Sequence, residues 1–160
     1  MKTMLMCLLV LAGLATPAAA QIPGEVSCDK GAEMARVQAL VKRTAEAVKR
    51  NQSQVIQQIN QRDPRWKDGD FYVVILQGTK VLAHGYMPSL AGQDVGNTTY
   101  QNTYPWIRSG ERVATEQGQG CIEYRFHNPA KGGAVEDKIT YVLRVDGDLW
   151  VASGTYVIRK

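Results

Sequence analysis

The chain has 160 residues and a mass of 17.7 kDa, with 44% hydrophobic and 21% charged residues, so one ordinary globular domain is expected. This composition excludes wholesale disorder, collagen-like repeats and a multi-span membrane protein. The net charge is +4, but the 19 basic residues are scattered among 15 acidic ones. A nucleic-acid-binding surface concentrates basic residues on one face, so nucleic acid is not an expected partner.

The N-terminus has the order of a secretory signal peptide. Lys2 precedes an apolar stretch at 4–14, and three alanines follow at 18–20. The apolar stretch is shorter than the ~20 residues that span a bilayer, which disfavours a membrane anchor. We therefore expect cleavage of residues 1–20 before Gln21, no membrane span in the mature chain, and a periplasmic or secreted location.

Export leaves two cysteines, Cys28 and Cys121, because Cys7 lies in the signal peptide. Two cysteines in an oxidising compartment usually pair, so a disulfide between them is expected. Two separate buried thiols are the alternative. A metal site is not expected, because the sequence has no CxxC motif and because His84 and His127 are distant in sequence from each other and from both cysteines.

The mature chain begins with a polar lead and one long helix. Residues 21–31 are predicted to form a loose lead, and 32–160 a single domain. From 32 to about 60, apolar residues recur at helical spacing, with a break expected near 51–53 and an end before Asp63-Pro64. The apolar stripe of this helix consists of Val37, Val41, Thr44, Val48, Val55 and Ile59.

After Pro64 the periodicity changes from helix to strand. Strands are predicted at 71–76, 80–84, 121–126, 138–145 and 149–158, with an irregular segment at 85–104 and a short helix around Trp106 within 104–116. The order of elements indicates an α+β fold. In this fold the long N-terminal helix packs on one face of a five-stranded antiparallel sheet.

Seven segments of the chain, taken together and in this order, resemble the single Cache domain family, the extracytoplasmic sensor modules of bacterial receptors. They lie at 68–74, 81–84, 88–94, 120–124, 128–129, 138–142 and 150–156. The chain departs from the family's pattern at Gly85, at Cys121 and at 95–100. The resemblance implies a PAS-like fold with a small-ligand pocket between the sheet and the segment 88–106. The chain resembles the free-standing secreted members of the family, which implies a separate membrane receptor or kinase as partner.

Five residues of these segments are candidate ligand contacts, because each carries a hydrogen-bond donor suited to an oxygen-rich ligand. They are Tyr72, His84, Tyr124, Lys138 and Tyr141. Lys138 and His84 are expected to supply positive charge and the tyrosines neutral hydrogen bonds. The predicted function is therefore binding of a small organic acid, and no cofactor is expected.

Two other functions compete with this one. Catalytic residues are not predicted, because the sequence has no GxSxG, HExxH or phosphate-binding glycine loop. A small-pocket α+β enzyme would have to use Glu123, the one carboxylate within a predicted apolar strand. An interaction protein without a small ligand would instead pair its long helix with a second copy or with a receptor.

Overall fold

The computed structural model describes residues 20–29, 31–99 and 105–157. The predicted signal peptide, apart from Ala20, lies outside these residues. No helix in the described part of the chain is both long and apolar enough to cross a membrane.

Helix α1, Gly31–Asn60, is the long helix that the apolar spacing predicts. All six residues of the predicted stripe are buried, and so are Met34 and Leu40. The helix is interrupted at Asn51, whose φ of −156° and ψ of 83° are not helical. Asn51 Oδ1 accepts a hydrogen bond from the Gln54 N–H at 3.2 Å, as the cap of a new helix does. The predicted break is therefore confirmed.

The remaining elements are mostly antiparallel strands. In chain order they are β1 (Glu25–Val26), β2 (Lys67–Asp68), β3 (Phe71–Tyr72), β4 (Val74–Gln77), β5 (Lys80–His84), α2 (Trp106–Arg112), β6 (Gln119–Asn128), β7 (Ala134–Asp146) and β8 (Leu149–Tyr156). The main sheet has the order β1-β6-β7-β8-β4-β5, and β2 pairs with β3 in a separate ribbon. The predicted α+β architecture is confirmed.

The sheet differs from the prediction in two places. Strand β1 lies in the N-terminal lead and adds a sixth strand beside β6. With two residues, β1 is too short for the sequence to show the alternation that predicts a strand. The predicted strand 71–76 is divided at Val73. Its first part pairs with β2 because the chain reverses at Gly69, which has a φ of 60°.

Alternation along the strands gives the sheet two apolar faces. Helix α1 packs against Val73, Ile75 and Val151 on one face. Helix α2 covers the other, where Leu76 and Trp150 are buried. Because Tyr72 and Leu76 alternate with Val73 and Ile75, Tyr72 faces the α2 side.

Cys28 and Cys121 form the predicted disulfide, with their Cα atoms 5.3 Å apart. The bond joins the segment before α1 to β6 and closes a loop with a sequence separation of 93 residues. Replacing both cysteines with serine should lower the free energy of unfolding by about 2–5 kcal/mol, because the unfolded chain gains the freedom that the closed loop removes. Urea unfolding measures this difference, with wild-type protein in reductant as the control. Equal stability of the variant and the oxidised wild type would contradict the prediction.

Candidate functional site

A cavity of about 30 Å³ lies between the sheet and α2. The strand register places Lys138 and Tyr72 towards one end and the apolar Leu76 and Trp150 towards the other. Trp106 of α2 completes the wall. The pocket therefore lies on the sheet face opposite α1, with one polar and one apolar end.

Lys138, in β7, is the one charged side chain in the wall of this cavity, as far as the structure describes it. It is 3% exposed, and its Nζ donates a hydrogen bond to the Tyr72 hydroxyl at 2.8 Å. The nitrogen also lies 4.3 Å, 5.4 Å and 5.2 Å from the ring centroids of Tyr72, Phe126 and Tyr156. Within the described segments it has no ion pair with a carboxylate. Burial without a counter-charge lowers the pKa of Lys138 to about 7.

Gly154, in β8, leaves the space that the side chain of Lys138 occupies. A Cβ at this position would lie 2.9 Å from Lys138 Cε and 2.5 Å from the carbonyl oxygen of Ile139, and it would also meet Thr140 Oγ1. The carbonyl belongs to the paired strand β7, so it cannot move aside without disturbing the sheet. The lack of a side chain at Gly154 therefore makes it possible for Lys138 on the neighbouring strand to be buried here.

We expect Gly154→Ala to lower the free energy of unfolding by about 1–3 kcal/mol, the usual cost of overpacking a well-packed site. The added methyl group should also displace Lys138 from its hydrogen bond with Tyr72. Urea unfolding measures the first effect, and the intensity of tyrosine–lysine nuclear Overhauser contacts the second. An alanine variant with wild-type stability and unchanged contacts would show that this strand pair tolerates the extra atom.

His84 ends β5 and is buried, with its ring stacked on Tyr72 at a centroid distance of 5.3 Å. Its Nδ1 accepts hydrogen bonds from the N–H groups of Tyr86 at 3.2 Å and Met87 at 2.9 Å, which leaves the proton on Nε2. Burial and, to a lesser extent, the charge of Lys138 lower the pKa of His84 to about 3. The expected positive charge on His84 is therefore wrong, and the ring acts as a neutral donor.

Aromatic side chains form the remaining wall. Trp106 stacks on Tyr124 with ring centroids 4.2 Å apart, and the Tyr124 hydroxyl is hydrogen-bonded to Thr140 Oγ1 at 3.0 Å. The indole Nε1 of Trp106 is buried and has no hydrogen-bond partner among the described residues. A buried donor without a partner is uncommon and costs about 1–3 kcal/mol. Trp106 thus adds an unused N–H group to the site.

Four of the five predicted contacts, Tyr72, His84, Tyr124 and Lys138, meet at this cavity. Tyr141 does not: it is buried on the α1 face, where its hydroxyl donates to Gln119 Oε1 at 2.6 Å. Positions 138 and 141 are three residues apart in one strand, so their side chains lie on opposite faces of the sheet and only one of them can line this pocket.

The same alternation identifies two wall residues that the sequence reading missed. Thr140 is two residues from Lys138, and Phe126 is two from Tyr124, so each shares its neighbour's face. Glu123 lies between Ile122 and Tyr124, which line the cavity, so alternation places it on the opposite, α1 face of the sheet and outside the wall. In the described ranges, no three His, Cys, Asp or Glu side chains are grouped as metal ligands.

Three solved structures share the fold. A methyl-accepting chemotaxis protein from Vibrio parahaemolyticus RIMD 2210633 is 18% identical, with a TM-score of 0.62, over 78% of this chain and 88% of that one. The periplasmic sensor domain of a chemotaxis protein is 22% identical, with a TM-score of 0.61, over 76% and 88%. A Cache chemosensory domain studied for carboxylic acid recognition is 17% identical, with a TM-score of 0.65, over 79% and 94%.

No curated protein sequence matches the chain. The family model of Single Cache domain 2 matches residues 31–158, which include α1 and the strands and helix that form the cavity. This match confirms the resemblance that the seven sequence segments indicate. The chain therefore belongs to the single Cache domain family, whose members are extracytoplasmic, sensory ligand-binding modules.

Proposed function

We propose that the protein is an exported sensor that binds one small carboxylate in the cavity at Lys138 and reports it to a separate membrane receptor or kinase. The observation that carries this proposal is a buried amine that has no carboxylate partner in the described structure. A buried charge is normally paired, because desolvation otherwise costs several kcal/mol. A carboxylate ligand would supply the missing charge.

The donors of the wall suit this ligand. Besides Lys138 Nζ, the Nε2–H group of His84 and the unpartnered Nε1–H group of Trp106 belong to side chains of the same cavity. Hydrogen bonds from such groups to an ionised oxygen are roughly twice as strong as neutral ones. The polar groups therefore match a carboxylate better than they match a neutral amide or an alcohol.

The rest of the wall limits the size and polarity of the group attached to the carboxylate. The cavity volume is about 30 Å³, room for about two water molecules, so the wall has to move apart even for a short acid. Leu76, Ile122 and Trp150 line its apolar part. The described wall has no Asp or Glu to receive a ligand's ammonium group. We infer a short carboxylic acid with an uncharged, largely apolar tail, and we expect amines and amino acids to bind poorly.

Several other observations support the location and role. The sequence predicts a signal peptide, and the disulfide suits an oxidising compartment. The similar solved structures include a Cache chemosensory domain studied for carboxylic acid recognition, a methyl-accepting chemotaxis protein and the periplasmic sensor domain of a chemotaxis protein. A membrane receptor or kinase on a separate chain would then carry the signal onward.

The test is calorimetry and thermal unfolding of the mature protein, residues 21–160, near pH 6. Acetate, propionate and pyruvate are the probes, and propionamide, propylamine and alanine are matched controls of similar size. We expect at least one carboxylate to bind and to raise the melting temperature, with no effect of the controls. If no carboxylate binds, or if the amide binds equally well, the proposal fails. Failure together with a concentration-dependent dimer would favour the interaction protein.

A further inference from the structure

Strand β8 forms a floor of the cavity whose side chains increase in size along the strand. Alternate residues of β8 line the cavity, and they are Gly154, Ala152 and Trp150. Gly154 lies beside Lys138 Cε at the polar end, and Ala152 adds only a methyl group. Trp150 is four residues from Gly154, about 13 Å along the strand. The floor is therefore open beside the amine and ends at one large side chain.

The ring of Trp150 fills a space that helix α2 leaves empty. Trp106 and Ile107 of this helix line the cavity, and Gly110, one turn further along the same face, carries no side chain. A Cβ at Gly110 would lie 2.9 Å from Trp150 Cη2 and 3.2 Å from Cζ3, so the ring lies directly against the backbone of this turn. Without the ring, the cavity would continue between β8 and Gly110.

Trp150 is also held firmly in this position. Its side chain is buried, and its Nε1 donates a hydrogen bond at 2.9 Å to the carbonyl oxygen of Gly78, in the turn between β4 and β5. A ring that is fixed by a hydrogen bond and packed directly against a helix backbone has little freedom to move when a ligand enters. The space that a short acid needs must therefore come from other parts of the wall, and the tail of the acid ends at this ring.

We propose that Trp150 is the specificity-determining residue of the carboxylate site, and that it excludes straight-chain acids longer than butyrate. This inference rests on the proposed function and names the residue that selects among short carboxylic acids. Lys138 binds the carboxylate that all these acids share, so it cannot distinguish their lengths. Trp150 lies at the opposite end of the cavity, where the acids differ.

The test is calorimetry of the wild type and Trp150→Leu at about pH 6 with acetate, propionate, butyrate, valerate and hexanoate. Wild-type affinity should rise about fourfold per methylene up to propionate or butyrate and fall at least tenfold by hexanoate. In Trp150→Leu the space at Gly110 opens, so the affinity for hexanoate relative to propionate should increase at least tenfold. Trp66→Leu is the matched control, because Trp66 is not in the cavity wall and its Nε1 donates to Gln58 Oε1; it should keep the wild-type order of acids.

A double variant tests whether the new space lies at Gly110. Adding Gly110→Ala to Trp150→Leu returns one methyl group to this space and should reverse about fourfold of the gain for hexanoate. If propionate binds but wild-type affinity still rises at hexanoate, or if Trp150→Leu keeps the wild-type order of acids, the inference is overturned and the proposed function stands. If the wild type binds none of the five acids, both fail. Trp150→Phe should shift the order in the same direction by a smaller amount, and it replaces Trp150→Leu if that variant does not fold.

Discussion

Lys138→Met should abolish carboxylate binding and at the same time stabilise the protein. Methionine fills a similar volume without a charge, so the ligand loses its counter-ion and affinity should fall by about 100-fold or more. The variant also removes the cost of a buried ammonium, which should raise the free energy of unfolding by about 1–4 kcal/mol. A gain of stability with a loss of binding separates this effect from simple damage to the fold.

The size of the stability change depends on pH. The pKa of Lys138 is lowered from 10.5 in the unfolded chain to about 7 in the folded protein. The unfolded state therefore binds more protons between these two values, and the destabilisation is complete below pH 7 and lost as the pH rises to 10.5.

Urea unfolding and propionate calorimetry at about pH 6 measure both changes. Lys80→Met is the matched control, since Lys80 is exposed on β5; it should alter neither. Wild-type affinity in Lys138→Met would remove Lys138 from the site, and a large loss of stability would contradict the account of its burial.

Affinity for a carboxylate should also depend on pH with a single midpoint near 7. The ammonium form of Lys138 binds, and a bound carboxylate raises the pKa of the lysine from about 7 because it supplies the missing charge. Binding above this pH therefore takes up a proton, and affinity should fall about tenfold per pH unit. From about pH 5.5 to 7 affinity should be nearly constant, because the ligand stays ionised and because the pKa of His84 is about 3, which keeps its ring neutral.

Calorimetry in two buffers with different heats of ionisation measures the proton directly. We expect uptake of about one proton per ligand at pH 8.5 and close to none at pH 5.5. The exposed-lysine variant Lys80→Met should give the same profile as the wild type. Affinity that is constant from pH 6 to 9, with no proton uptake, would mean that Lys138 does not change its charge when the ligand binds.

Much of the fold follows from short-range periodicity. The stripe from Val37 to Ile59 predicts both the length of α1 and its buried face, because helical spacing is repeated over many turns. The two-residue strand β1 could not be predicted, since it depends on pairing with β6 and on the disulfide at Cys28.

The site could be predicted only in part. Strand alternation alone places Tyr141 and Lys138 on opposite faces of the sheet, so the sequence already argues against Tyr141 as a ligand contact beside Lys138. The burial of Lys138 was not predictable, because it depends on the gap at Gly154, a residue of the neighbouring strand. The charge of His84 likewise depends on the backbone N–H groups of Tyr86 and Met87, whose position no side-chain pattern reveals.

The central claim is that a carboxylate pairs with the buried amine of Lys138, and a crystal structure of the mature protein with propionate at about pH 6 tests it most directly. The account predicts a carboxylate oxygen at about 2.7–3.0 Å from Lys138 Nζ, with the ethyl group directed towards Leu76 and Trp150. A propionate bound elsewhere on the protein, or in this cavity with its carboxylate turned away from Lys138, would contradict the account.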